Sequence, residues 1–235
     1  MKQYIVTGAS RGIGRDTALA LAAQPSNWVL ALSRDLAGLE RLEQAAREAG
    51  AEQRLHCLPF DIAQPDMPQL MEIMGQWGKL DGIVHNAGLL IHRPFDELSD
   101  ADWQRMFQVN FFSPMTLTRT LLPLLEAAHG AHVVHIGSMG GFQGSSKFSG
   151  LSAYSASKAA LANLTETLAE ELKSRHIAVN CLALGAVQTE MLAQAFPGYH
   201  APVSSSEMGG FVAWFTGQGH RFFNGKILPV SVSTP

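Results

Sequence analysis

Tyr154 and Lys158 stand four positions apart in Tyr154-Ser155-Ala156-Ser157-Lys158, and Ser138 lies upstream in Ile136-Gly137-Ser138. On a helix this spacing puts a phenol and an ammonium on one face. A nearby cation favours the phenolate, lowers the tyrosine pKa and lets the phenol exchange a proton near neutral pH, which free tyrosine does poorly. Near the start of the chain, Thr7-Gly8-Ala9-Ser10-Arg11-Gly12-Ile13-Gly14 offers a tight turn that a pyrophosphate can approach closely. The helical stretch after it would present unpaired N–H groups and the positive end of its dipole to that anion. Together these residues point to hydride transfer to or from a carbonyl. Taken singly, Ser138 reads as a loop hydroxyl, Tyr154 as an aromatic with a wet tip and Lys158 as a helix-surface lysine.

Composition bounds the alternatives. The chain has 235 residues, 46% apolar and 16% charged, enough for one α/β domain over 1–235 with a sizeable core. A net charge of −3 gives no general attraction to nucleic acid or an anionic membrane, so neither is expected as a partner. Cys57 and Cys181 sit in apolar runs and read as small buried hydrophobes, consistent with a reducing cytoplasm. The first residues run directly into a strand, which leaves no room for a cleavable signal peptide, and no apolar stretch is long enough to span a bilayer. Nine histidines are scattered without paired ligand spacing, so no metal site is expected.

The elements that must position these residues follow from periodicity. Short apolar runs at 4–6, 28–32, 54–58, 82–85, 131–136, 177–182 and 226–230 read as seven strands. Helical stretches at 13–23, 36–49, 66–77, 99–128 and 152–175 alternate with them. Ser99 and Asp102 resemble a capping box that opens one extended helix over 99–128. This alternation predicts a Rossmann-type, doubly wound, mainly parallel seven-stranded sheet with right-handed crossovers and helices on both faces. Strands that are apolar throughout fit a sheet covered on both sides. Pro229 places the last strand at an edge.

From Tyr4 to about Thr189 the chain resembles the short-chain dehydrogenase/reductase family. The resemblance rests on the Gly-x-x-x-Gly-x-Gly turn (Gly8, Gly12, Gly14), Asp61-Ile62 after the third strand, Asn86-Ala87-Gly88 after the fourth, and Ser138, Tyr154 and Lys158. It implies that Tyr154 is the acid in carbonyl reduction and the base in alcohol oxidation. Ser138 would hydrogen-bond the substrate oxygen, and Lys158 would lower the tyrosine pKa and hold the nicotinamide ribose. Asn110 matches the fourth family residue, which holds a water that links the lysine to solvent. Asp61 and Ile62 would meet the adenine, and the 86–88 turn would border its ribose. His85 replaces the first asparagine of the family's Asn-Asn-Ala-Gly and reads as a packed neighbour. Leu184 replaces a proline before Gly185; Val187 and Thr189 remain candidates for the nicotinamide end, with Thr189 contacting the carboxamide.

The second strand ends on Ser33-Arg34, where an acid would select NAD. With Ser10 and Arg11 in the glycine turn, this suits a 2′-phosphate, so NADP(H) is expected rather than NAD(H). Asp35 stays open between a helix N-cap and a displaced ribose ligand. A substrate flap over 187–210 is expected, with Met191, Leu192, Phe196 and Tyr199 lining an apolar pocket and Pro197-Gly198 as a hinge; Lys147 and His92 are candidates to meet a polar substrate. The resulting expectation is an NADP(H)-dependent oxidoreductase of a small carbonyl or secondary alcohol. It would act as a cytoplasmic homodimer or homotetramer built on helices 99–128 and 152–175. The competing readings are a 3-oxoacyl thioester reductase and a non-enzymatic NADP-binding sensor on the same fold.

Overall fold

A computed structural model describes residues 1–234, so Pro235 lies outside the described residues. The apolar runs become strands because each is covered on both faces. They are β1 (Lys2–Thr7), β2 (Asn27–Ser33), β3 (Leu55–Pro59), β4 (Gly82–His85), β5 (Ala131–Ser138), β6 (Ile177–Leu184) and β7 (Ile227–Val230). All pairings are parallel, in the order β3-β2-β1-β4-β5-β6-β7. β7 is an edge strand, where the missing N–H of Pro229 is tolerated.

Alternate residues of each strand feed two separate cores. Tyr4 and Val6 of β1 pack with α1 (Gly12–Ala22), α2 (Leu36–Glu48) and α8 (Ser205–Gln218) through Leu21, Leu42 and Phe215. Ile5 faces the opposite layer of α3 (Met67–Gly75), α5 (Ser113–Ala127) and α6 (Ser152–Glu171), where Leu70, Met74, Leu117 and Leu121 are buried. The doubly wound class read from the sequence is therefore the class observed. No described helix is long and apolar enough to cross a membrane.

The expected single helix over 99–128 is not continuous. α4 (Asp100–Phe107) begins at the Ser99–Asp102 capping box, then gives way to a π-helical turn at Gln108–Phe112 before α5. The Ser113 hydroxyl donates to the Gln108 carbonyl at 2.7 Å within this widened turn. The expected flap contains a short helix, α7 (Glu190–Ala195), and runs into α8 at Ser205. The start of α8 is fixed rather than free, because a Cβ on Gly209 would lie 2.6 Å from that of Asp16 in α1.

Candidate active site

At the carboxyl ends of the strands, where β1 and β4 are neighbours but their chains run on to opposite faces, a cleft of about 940 Å³ opens. The glycine turn forms one wall. Gly8 has φ +67°, and a Cβ there would sit 2.7 Å from the Ala87 Cα; one on Gly14 would sit 2.4 Å from the Gly8 carbonyl oxygen. α1 starts at Gly12 with no side-chain cap, whereas Asp35, Asp66 and Ser99 cap α2, α3 and α4. Its first N–H groups therefore lie beside the cleft without a side-chain acceptor. Ser10, Gly12 and Ile13 line the cleft. A glycine-tight turn ahead of an uncapped helix fits the pyrophosphate of a dinucleotide.

Asn86 ties this turn to the centre of the sheet. Its amide donates to the Thr7 and Gly8 carbonyls at 3.0 and 3.1 Å, and the N–H groups of Asn86 and Ala87 both donate to the Thr7 hydroxyl at 3.1 Å. Asp61 accepts from the Ala63 N–H at 2.9 Å and lines the cleft beside Ile62. Asp35 proves to be the N-cap of α2, accepting from Gly38 at 3.1 Å, while its own N–H donates to Ser33 at 3.2 Å. Arg34 is exposed at the cleft mouth, whereas Arg11 reaches across the cleft and donates to Glu190 of α7.

Ser138, Tyr154 and Lys158 converge on the far half of the cleft. Ser138 ends β5, and its hydroxyl oxygen accepts from the Gly140 N–H at 3.1 Å, which leaves the hydroxyl proton available to another acceptor. Tyr154 and Lys158 lie on one face of α6, as their spacing required. Lys158 is 3% exposed; its ammonium donates to the Ile136 carbonyl at 2.8 Å and lies 5.9 Å from the Tyr154 ring centroid. The expected depression of the tyrosine by this lysine is not what burial dictates. Desolvation pushes the Tyr154 phenol above its ordinary value, with Ser138 opposing the shift, and pushes Lys158 down to about 8. The sequence could not reveal this because spacing gives direction around a helix, not the depth of its face.

Asn110 sits in the π turn and is fully buried. Its amide donates to the Leu89 carbonyl and the Ser157 hydroxyl, each at 2.9 Å, and its oxygen accepts from the Leu89 N–H at 2.8 Å. The side chain thus clamps three segments behind Gly88, whose own Cβ would fall 3.5 Å from Asn110 and 3.6 Å from the Lys158 ammonium.

The sheet end of the site is closed by β6. Leu184 pairs with Val230, so the strand continues where a proline would have ended it. A Cβ on Gly185 would lie 2.1 Å from the Ser231 hydroxyl, so the segment after β7 packs on this residue and carries Thr234 to the cleft. Val187 is buried on the same wall. Thr189 caps α7 by accepting from Leu192 at 3.2 Å and faces Gly12 across the cleft. Met191, Leu192 and Phe196 line the cleft as expected, but Tyr199 donates to Ser233 instead. Lys147 does not reach the cleft: its ammonium folds back on the Gly140 and Phe142 carbonyls at 3.0 and 2.6 Å. His92 is held by the Ser149 carbonyl at 3.1 Å. Sequence reasoning missed Thr234, Arg105 and Gln108 on the wall; none carries a local motif, and only the folded chain brings them there. Among the described residues no group of three His, Cys, Asp or Glu side chains is placed to hold a metal ion.

Known proteins match this arrangement. The family model for short chain dehydrogenases covers residues 2–200. A benzil reductase, (S)-benzoin forming, of Saccharomyces cerevisiae is 34% identical over 200 residues, covering 81% of this chain and 73% of that protein. A 3-oxoacyl-[acyl-carrier-protein] reductase of Aggregatibacter actinomycetemcomitans is 33% identical over 198 residues, 82% of this chain and 79% of that one. The crystal structure of a short chain dehydrogenase of Shigella flexneri complexed with NADP superposes with a TM-score of 0.87 at 30% identity, covering 97% of this chain and 96% of that one.

Proposed function

The chain belongs to the short-chain dehydrogenase family, and on that premise we propose that it is an NADP(H)-dependent oxidoreductase that interconverts a small carbonyl compound and its alcohol, with Tyr154 as the general acid–base. The observation that carries this reading is the convergence of Ser138, Tyr154 and Lys158 on a cleft whose opposite wall is a glycine turn and an uncapped helix. The dinucleotide, when bound, supplies or accepts the hydride. Gly8, Ser10, Gly12, Ile13 and Gly14 would hold its pyrophosphate, and Asp61, Ile62, Asn86, Ala87 and Gly88 would border its adenosine. Ser33, Arg34 and Arg11 favour a 2′-phosphate; binding it requires Arg11 to share or release Glu190. Lys158, Gly185, Val187 and Thr189 would meet the nicotinamide half. Thr189 accepts as a cap but keeps a hydroxyl proton to donate. Relatives complexed with NADP and NADPH support the cofactor class.

In reduction, the buried phenol arrives protonated because its pKa is raised. Ser138 donates a hydrogen bond to the substrate oxygen and Tyr154 passes its proton to that oxygen as negative charge develops there. Lys158, held by Ile136, faces the phenolate that remains. Purified protein should oxidise NADPH in the presence of a ketone or aldehyde, and Tyr154→Phe should lower the rate by about 10²–10⁴-fold. A Tyr154→Phe variant with full activity overturns the mechanism; tight NADPH binding without turnover of any carbonyl favours a sensor.

Assembly through α4, α5 and α6 belongs to the same proposal, and light scattering of the eluted protein tests it. A cytoplasmic site of action is also proposed, since Cys57 and Cys181 are free thiols.

A further inference from the structure

Beyond Ser138 and Tyr154, the inner end of the cleft is walled by Leu90, Met139, Phe148, Leu151, Met191 and Phe196. Three aromatic rings from three separate segments meet at its outer side. Phe196, which follows α7, packs edge-on against Phe148 of the loop before α6, with centroids 5.9 Å apart and planes at 73°. Its other neighbour is the His92 ring at 5.8 Å, from the segment after β4. Two of these segments are stapled together. His92 Nε2 meets the Ser149 carbonyl at 3.1 Å, and the Arg93 N–H donates to the Gly150 carbonyl at 3.1 Å. Gly150, at φ +78°, leaves room for the imidazole, since a Cβ there would lie 2.6 Å from Nε2. Phe196 stands outside this staple, and next to it Pro197-Gly198 turns at φ +83° into open space.

Charge is distributed unevenly along the cleft. Besides Lys158, its cationic side chains are Arg11, Arg34 and Arg105. Arg11 lies in the glycine turn and pairs with Glu190, and Arg34 directly follows β2. Arg105 stands one turn ahead of Val109 on α4, beside Gln108, which donates to the Ala63 carbonyl after β3. All three thus lie toward the β1–β3 half or are already paired. Of the basic side chains nearest the aromatic end by sequence, the Lys147 ammonium donates to two backbone carbonyls and the Arg93 guanidinium pairs with Asp102, while His92 Nε2 meets the Ser149 carbonyl. A carboxylate or phosphate on the substrate would be desolvated there without a partner, and a polyol would lose water without replacement hydrogen bonds. A flat ring instead gains edge and offset contacts with Phe148 and Phe196.

We propose that the substrate of this site is an uncharged ketone carrying an aromatic or comparably bulky apolar group, which inserts between Phe148 and Phe196, with Phe196 as the movable jaw and His92 as the residue that positions it. This inference rests on the carbonyl-reductase reading above and specifies its substrate class.

The test compares kcat/KM, at saturating NADPH, for 1-phenyl-1,2-propanedione, pyruvate, L-sorbose and an acetoacetyl thioester of N-acetylcysteamine. The aromatic dione should lead each of the others by about tenfold or more, in the range one hydrophobic pocket can discriminate. Phe196→Ala and Phe148→Ala should raise KM for the dione by about tenfold, with a smaller change in kcat. Phe196→Leu, which keeps apolar volume, serves if the alanine variant does not fold, and its KM should rise in the same direction. Equal or better turnover of pyruvate, sorbose or the thioester overturns the assignment of substrate class and leaves the carbonyl-reductase reading standing. Preference for the dione with unchanged KM in the phenylalanine variants overturns the aromatic jaw. No turnover of any probe, with NADPH bound, overturns both.

Discussion

At the scale of single residues, burial rather than spacing sets the proton chemistry. Tyr154 is raised by desolvation and Lys158 is brought down to about 8 by the same cause. A protonated phenol beside a charged amine is the state suited to reducing a carbonyl at neutral pH. As pH rises through about 8 the amine loses its charge, and the phenolate produced in the reaction loses its partner. We therefore expect kcat/KM for reduction to hold steady between about pH 6 and 7.5 and to decline above about 8. A plateau extending to pH 10 would show that Lys158 is not the group that matters. Lys158→Met separates function from stability at this position. It removes a charged amine that is 3% exposed and held by a single carbonyl, so the melting temperature should stay level or rise. Reduction should still fall by about 100-fold or more. A large loss of stability in this variant would show instead that the ammonium holds the end of β5 in place.

At the scale of elements, the π turn at Gln108–Phe112 decides how the site is held. Inserting one extra residue per turn there rotates Asn110 inward, where it bonds Leu89 and Ser157 and so joins the segment after β4 to α6. Asn110→Ala leaves the Leu89 N–H and carbonyl without these partners. It should cost about 1–3 kcal/mol in urea denaturation. Ser157→Ala, which deletes one of the three bonds, should cost less; equal losses would mean that the cost is not in the clamp. Sequence alone marked Asn110 by resemblance but could not mark the π turn, because residues 99–128 keep an apolar rhythm that a continuous helix satisfies equally well. The strands were legible because burial on both faces leaves unbroken apolar runs such as Val133-Val134. The Ser99–Asp102 box was legible because it is a local motif. α8 was not, because Gly209, Gly210 and Gly217 weaken its signal even though Met208, Val212, Ala213 and Phe215 are buried against the core. The convergence of Ser138, Tyr154 and Lys158 on one cleft could be read from motif spacing. The pairing of Arg11 with Glu190, the self-contained Lys147 and the approach of Thr234 could not, because each depends on segments far apart in the chain.

At the scale of the whole molecule, both cores bury histidine. His85 and His135 lie side by side on β4 and β5 beneath α5 and α6, ring centroids 5.2 Å apart, each bonded to one threonine, Thr118 and Thr165, at 2.8 Å. Among the described residues, the second nitrogen of each, Nδ1 of His85 and Nε2 of His135, has no partner. On the opposite face His132 meets the Thr216 carbonyl at 3.1 Å and the Asn180 amide at 2.9 Å. Desolvation lowers all three: His132 and His135 to about 3, and His85 well below its ordinary value, with Lys158 adding to the effect at His135 and the Thr216 carbonyl opposing it at His132. The unfolded chain takes up protons at His132 and His135 near pH 6.5, and the folded chain does so only near pH 3; His85 is displaced in the same direction. Between those limits the unfolded state binds more protons, so stability is fully present above about 6.5 and is lost as pH falls. Each site contributes a slope of at most about 1.4 kcal/mol per pH unit. Lys158 acts in the same sense in another window: with its folded value near 8 and its ordinary value 10.5, stability rises between those two pH values. Urea midpoints measured at pH 7, 6 and 5 should therefore fall steadily, before most carboxylates titrate. His85→Asn replaces one titrating ring with an amide and should flatten that slope. If the wild-type protein and His85→Asn lose stability in parallel from pH 7 to 5, the buried pair does not control the acid limit of the fold.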